Sequence, residues 1–226
     1  MKIKEKINLE IEGLKKYGAI NIAVLGDSVT HGAFKIGELD YEHPYWNILR
    51  KKINEKRMYV PVNIINAGIG GTTAAEAVDR VDGQVLSHNP DLIIICFGLN
   101  DVNGTLEEYI NPLEQIFDKV LKSDSEVIFM TPNMLNTYVA DDVDEEAREY
   151  AFKTAEMQNN GKMDLFMKSA KELAEKKGIT VCDCYSEWKK LSETEDVTML
   201  LENRINHPTR EMHHLFADKL YEIIFK

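Results

Sequence analysis

Apolar positions along this chain follow two rhythms. Short runs are apolar on successive residues, and longer stretches are apolar every third or fourth residue. The runs Ile22-Ala23-Val24-Leu25, 62–67, 91–97, 126–131 and 179–184 predict strands. The run 91–97 (DLIIICF) is apolar on both alternations, as a central strand covered on both faces must be. Between the runs, helical spacing predicts helices over 44–56, 74–81, 106–122, 163–177 and 209–225, with a loop and short helix over 188–201. Thr105 and Glu108 have the spacing of a capping box, and Pro44 suits a first helical turn. Ile3, Ile7, Ile11 and Leu14 predict one amphipathic helix ended by Gly18, its apolar stripe packed on the rest of the chain.

Strands alternating with helices, one strand per thirty residues or so, give an α/β fold with a doubly wound, five-stranded parallel sheet. At 226 residues, with no repeat or linker, the chain reads as one domain over 1–226, with an extra helix in 1–20. Residues 133–163 are acidic and lack a strand signal, so they read as an insertion near the edge where the strands end.

Composition narrows the partners. A formal net charge of -11 argues against nucleic acid. No run is apolar enough to span a membrane, and the charged amino terminus lacks the core of a signal peptide. Three cysteines are too few and wrongly spaced for a disulfide framework or zinc ribbon, which suits a reduced cytoplasm. No metal or cofactor is expected, and a homo-oligomer stays open. His213 and His214, adjacent on a helix, point apart and make a poor metal pair.

The chemistry gathers at the strand ends, where open α/β sheets place their sites. The first strand runs into Gly26-Asp27-Ser28-Val29-Thr30, which makes Ser28 a candidate nucleophile. A serine there can equally cap a helix, so the later loops decide. The second strand enters Gly68-Ile69-Gly70-Gly71-Thr72, and the third enters Gly98-Leu99-Asn100-Asp101. Acyl transfer by a serine needs a base and oxyanion donors. The N–H groups of Ser28 and Gly71 and the amide of Asn100 are candidate donors, and His207, in the loop before the last helix, is the best-placed base.

These blocks, in this order, resemble the SGNH, or GDSL-type, hydrolases from about residue 21 to the end. The resemblance implies a flavodoxin-like three-layer αβα sandwich. It also implies hydrolysis of a carboxylic ester, often an acetyl group on a sugar, so a small-molecule ester is the expected partner. The family's serine, glycine, asparagine and histidine fall on Ser28, Gly71, Asn100 and His207.

One position departs from the family pattern. The aspartate usually found three residues before the histidine is Arg204 here, and an arginine cannot stabilise an imidazolium. A backbone carbonyl, Asn203 or Glu202 can orient His207, or the pair works as a dyad. Asp27 and Asn203 are candidate supports for the site, Asp27 by shaping the serine loop. Trp46, Tyr138 and Trp188 are read first as packing residues. Three other readings remain open from sequence: an acyltransferase on the same fold, a non-catalytic small-ligand-binding module, and a pseudoenzyme, which the Arg204 departure brings in.

Overall fold

The computed structural model describes residues 1–226. Its main sheet contains β1 (Ile20–Gly26), β4 (Val62–Gly68), β5 (Leu92–Cys96), β6 (Glu126–Met130) and β7 (Thr180–Cys182). The spatial order is β4-β1-β5-β6-β7, and every pairing is parallel. This is the flavodoxin-type order, in which chain direction across the sheet reverses between β1 and β5 and leaves a crevice beyond their carboxyl ends. β5 is buried at every position, as its uninterrupted apolar run requires, whereas the edge strands β4 and β7 are partly exposed.

A separate hairpin, β2 (Ala33–Lys35) with β3 (Glu38–Leu39), stands between β1 and the first long helix. The hairpin was not foreseen, because two strands of this length leave too few positions for a period to show.

The helices are α1 (Ile3–Ile7), α2 (Ile11–Tyr17), α3 (Ser28–His31), α4 (Tyr45–Lys56), α5 (Ala74–Ala77), α6 (Val81–Gln84), α7 (Leu106–Val120), α8 (Arg148–Asn159), α9 (Lys162–Lys176), α10 (Cys184–Leu191) and α11 (His213–Phe225). Helices cover both faces of the sheet: α4 packs on α11, while α7 packs on α5 and α9. A core of 54 buried residues extends from Ile3 to Ile224.

Three expectations are corrected. The amino-terminal helix is two helices, broken at Asn8, whose side chain turns back to the Lys4 carbonyl at 2.8 Å. Only α1 buries its isoleucines. The last strand stops at Cys182, because Asp183 caps α10 by accepting from the Ser186 N–H at 3.2 Å, which puts Cys184 in a helix. The closing helix begins at His213, after a turn, rather than at Thr209. The Thr105–Glu108 capping box is present as read.

Candidate active site

Ser28 opens α3 one residue after Asp27, whose carboxylate accepts the Val29 N–H at 3.0 Å and so caps this one-turn helix. The backbone here is crowded. A Cβ on Gly68 would meet the His31 nitrogen at 2.5 Å, and one on Gly26 would meet the Cys96 carbonyl oxygen at 2.6 Å. Glycine at both positions lets the ends of β1, β4 and β5 close around the serine. A Cβ on Gly70 would lie 3.8 Å from the Ser28 Cβ, so the glycine-rich loop after β4 runs directly beside the serine.

Gly71 has φ +78°, and nothing occupies the space where its side chain would be. Its N–H has no partner, and the Ser28 N–H belongs to the first turn of a helix, where no intrahelical acceptor exists. The Asn100 side chain donates one amide hydrogen to the Thr72 carbonyl at 3.0 Å, joining the loop after β5 to the glycine loop, and keeps its second hydrogen. Ser28, Gly71 and Asn100 therefore stand on three loops that meet at one edge.

His207 reaches that edge from the loop before α11. Its Nε2 lies 2.9 Å from Ser28 Oγ, and its Nδ1 lies 3.1 Å from the backbone carbonyl of Phe34 in β2. A carbonyl only accepts, so Nδ1 carries the proton. In the neutral ring Nε2 is then the acceptor for the Ser28 hydroxyl. The ring sits deep in the site, and its pKa is lowered from 6.5 to about 4, chiefly by burial, with the Phe34 hydrogen bond working weakly the other way.

Arg204 does not act on this ring. With φ +60° it turns outward, its Nε 3.0 Å from Asp142 and its NH1 2.8 Å from the Leu201 carbonyl. Asn203 does not touch the ring either. Its Oδ1 accepts the N–H groups of Ile205, Asn206 and His207 at 3.0, 3.0 and 2.9 Å, which folds the loop that presents His207. Glu202 lies near Lys35 at 3.7 Å and Arg210 at 3.5 Å. Of the orienting groups left open by sequence, the structure places the backbone carbonyl on Nδ1. It belongs to Phe34, a residue the sequence reading did not single out and whose carbonyl carries no side-chain signature.

The loop bearing His207 also leans on residues 133–163. Asn133 Nδ2 donates to the Asn206 carbonyl at 2.8 Å, and the Asn136 N–H donates to the Ile205 carbonyl at 2.9 Å.

Beneath the serine lie two buried carboxyl groups. Asp27 is pushed up to about 7 by burial, opposed by the Val29 N–H and reinforced by the charge of Asp101. Asp101 is pushed up to about 6 by burial, against the Ala74 N–H that its Oδ1 accepts at 2.8 Å. The Oδ2 of each lacks a partner. Among the other sequence candidates, Trp188 and Trp46 are buried, Tyr138 is exposed and bonds Asp196, and His213 lies in the core accepting the Tyr45 N–H at 3.1 Å. No cluster of metal-ligating side chains is present, and no helix is long and apolar enough to cross a membrane.

A serine hydroxyl on a neutral imidazole, with free N–H groups at the same strand ends, is the equipment of a serine hydrolase. The chain belongs to the GDSL-like lipase/acylhydrolase family, whose model matches residues 24–215, and it is a carboxylic ester hydrolase of that family. Among solved structures it is similar to Axe2, an acetylxylan esterase from Geobacillus stearothermophilus, at 20% identity and a TM-score of 0.69, covering 92% of this chain and 96% of that one. An Axe2 mutant described as an acetyl-xylooligosaccharide esterase gives a TM-score of 0.70 at the same identity and coverage. LAE5, an alpha/beta hydrolase enzyme from the metagenome of Lake Arreo, Spain, is similar at 19% identity and a TM-score of 0.68, over 92% of this chain and 97% of that one. No curated protein matches the chain.

Proposed function

We propose that this chain hydrolyses short acyl esters, in particular acetyl groups carried by a carbohydrate, through an acyl-enzyme on Ser28. The observation that carries the reading is the relay Ser28 Oγ, His207 and the Phe34 carbonyl, spaced at 2.9 and 3.1 Å. Ser28 Oγ attacks the ester carbonyl carbon while its proton passes to His207 Nε2. The oxyanion is met by the N–H groups of Ser28 and Gly71 and the free amide hydrogen of Asn100. His207 then gives its proton to the departing alcohol, water enters, and the same nitrogen activates it to release the acid. Throughout, Nδ1–H stays on the Phe34 carbonyl, which fixes the ring's orientation without supplying a charge.

The choice of acetyl and carbohydrate is supported by the Axe2 esterases, which are described as acting on acetylxylan and acetyl-xylooligosaccharides. Catalytic mutants of Axe2 replace a serine, a histidine and an aspartate three positions before that histidine. The aspartate's counterpart by spacing here is Arg204, so this chain's relay ends on a carbonyl instead. A main core of 54 buried residues that runs from Ile3 to Ile224 supports treating the whole chain as a single catalytic unit, and residues 133–163 bond to the loop that carries His207. Three buried free cysteines fit a reducing cytoplasm, and the acidic charge fits a partner other than nucleic acid.

The test is turnover of p-nitrophenyl acetate, longer p-nitrophenyl esters and acetylated xylo-oligosaccharides by wild type, Ser28→Ala and His207→Ala. The reading requires both variants to lose activity by about a thousandfold or more. It also requires acetyl to outrun longer chains. Wild-type rates in Ser28→Ala would refute the nucleophile. Turnover that rises on adding a sugar acceptor, with acylated sugar as product, would replace hydrolysis by acyl transfer.

A further inference from the structure

The group that orients His207 is a carbonyl on a two-stranded hairpin, and such a hairpin does not hold its own position to a fraction of an ångström. Something must fix it against the loop that carries the histidine. Arg210, three residues after His207, touches both. Its guanidinium lies 4.5 Å from the centroid of the Phe34 ring, on the residue whose carbonyl meets His207 Nδ1. The same guanidinium donates from Nε to Asp40 at 3.1 Å, from NH2 to Glu38 at the far strand of the hairpin, and from NH1 to Glu202 at 3.5 Å. Glu202 belongs to the histidine loop, and its N–H donates to the His207 carbonyl at 2.7 Å.

The carboxylate most deeply involved is set up to receive this arginine. Burial opposes charge on Asp40, but the Glu42 N–H, His43 and Arg210 outweigh it and hold its carboxyl at about 2. Asp40 also closes the hairpin, its own N–H donating to the Gly32 carbonyl at 2.8 Å. One cation therefore joins the base of the hairpin, its tip, its aromatic residue and the histidine loop. Lysine could not reproduce this arrangement, since it lacks the planar fork that spans several carboxylates while lying on a ring.

We propose that Arg210 is a positioning residue, which holds the Phe34 carbonyl against His207 Nδ1 and thereby keeps Nε2 aimed at Ser28. The proposal rests on the reading of His207 as the base. It adds a residue that touches neither substrate nor the reacting atoms. It also explains how a neutral, hairpin-borne acceptor can take the place of a carboxylate fixed three residues before the histidine.

The experiment compares wild type, Arg210→Met, Arg210→Lys, Glu38→Gln and Ser28→Ala. Steady-state kinetics on p-nitrophenyl acetate are paired with the NMR signal of the His207 Nδ1 proton, assigned by its loss in His207→Ala. Arg210→Met should lower kcat about tenfold to a hundredfold, the loss typical of a group displaced by about 1 Å, and leave KM within about twofold. Its Nδ1 proton should broaden or vanish through exchange with water while the melting curve stays cooperative. Arg210→Lys should fall between, and Glu38→Gln, which leaves the arginine in place and alters only the exposed hairpin, should shift both readouts the same way. Wild-type kcat in Arg210→Met, or a reduced kcat with the Nδ1 proton as sharp as in wild type, would overturn the clamp. If Ser28→Ala is inactive and Arg210→Met is not impaired, the clamp alone fails. If Ser28→Ala retains full turnover, the esterase reading at Ser28 fails, and the clamp falls with it as a catalytic device.

Discussion

Lowering the pH perturbs one group at the centre of this site, because in the proposed mechanism His207 is neutral when it takes the Ser28 proton. A histidine with its ordinary pKa of 6.5 would be neutral in only about 3% of molecules at about pH 5. With its pKa lowered to about 4, His207 is neutral in about 90% of molecules at that pH. The causes are physical and local: the ring is buried, and the partner on Nδ1 is a carbonyl without charge. A carboxylate in that place would draw the pKa upward. The acid limb of kcat/KM, which reports the free enzyme, should therefore be centred near pH 4, with the rate at about pH 5 close to its plateau. The assay is initial-rate hydrolysis of p-nitrophenyl acetate at limiting substrate, followed by pH-stat across the acid range, with tryptophan fluorescence confirming the folded state at each point. That control matters. His207 and His213 both have folded pKa values below their unfolded ones, so their shifts take stability away as pH drops below about 6.5, while the raised Asp27 and Asp101 act in the opposite direction over the same range. An acid limb centred between about pH 6 and 7 in folded protein would refute the reasoning, since it would mean that a charge or bulk water stabilises the imidazolium.

Two further outcomes follow from the same geometry. Asp27 is raised from 3.8 to about 7, so the folded state holds a proton that the unfolded state releases, and this contribution is lost as pH rises through 7. Asp27→Asn keeps an oxygen for the Val29 N–H and has nothing to ionise. Its melting temperature should therefore gain on wild type as pH rises from about 5 to 8.5, and a constant difference across that range would refute a buried, neutral Asp27. Gly68→Ala would drive a methyl onto the His31 backbone nitrogen at 2.5 Å. It should destabilise by about 1–3 kcal/mol in urea unfolding, and an unchanged midpoint would show that α3 and β4 can separate freely.

The sheet and three of its loops were legible in the sequence because their signals are dense. β5 is apolar at every position, and the serine, glycine and asparagine blocks each follow directly on a predicted strand, β1, β4 and β5 in turn. His207 was legible from its place before the last helix. The group behind it was not, because the acceptor is a main-chain oxygen and any residue at position 34 would present one. The Arg210 contacts were equally hidden, since Glu38 and Asp40 meet it only once a short hairpin folds back on a loop more than 160 residues away in sequence. At the amino terminus, Ile3 to Leu14 kept a helical period through a break that a side chain of Asn8 stabilises, and periodicity cannot register such a break.

A carbonyl as the orienting group has a consequence for how this enzyme can change over generations. A carboxylate relay can be broken by a single codon, whereas no codon removes a main-chain oxygen. Substitution at Phe34 alters only what the ring touches, and the acceptor on Nδ1 persists as long as the hairpin keeps its path. The vulnerable point is therefore whatever fixes the hairpin's path rather than the histidine's own loop, and the residue at position 204 is bound to Asp142.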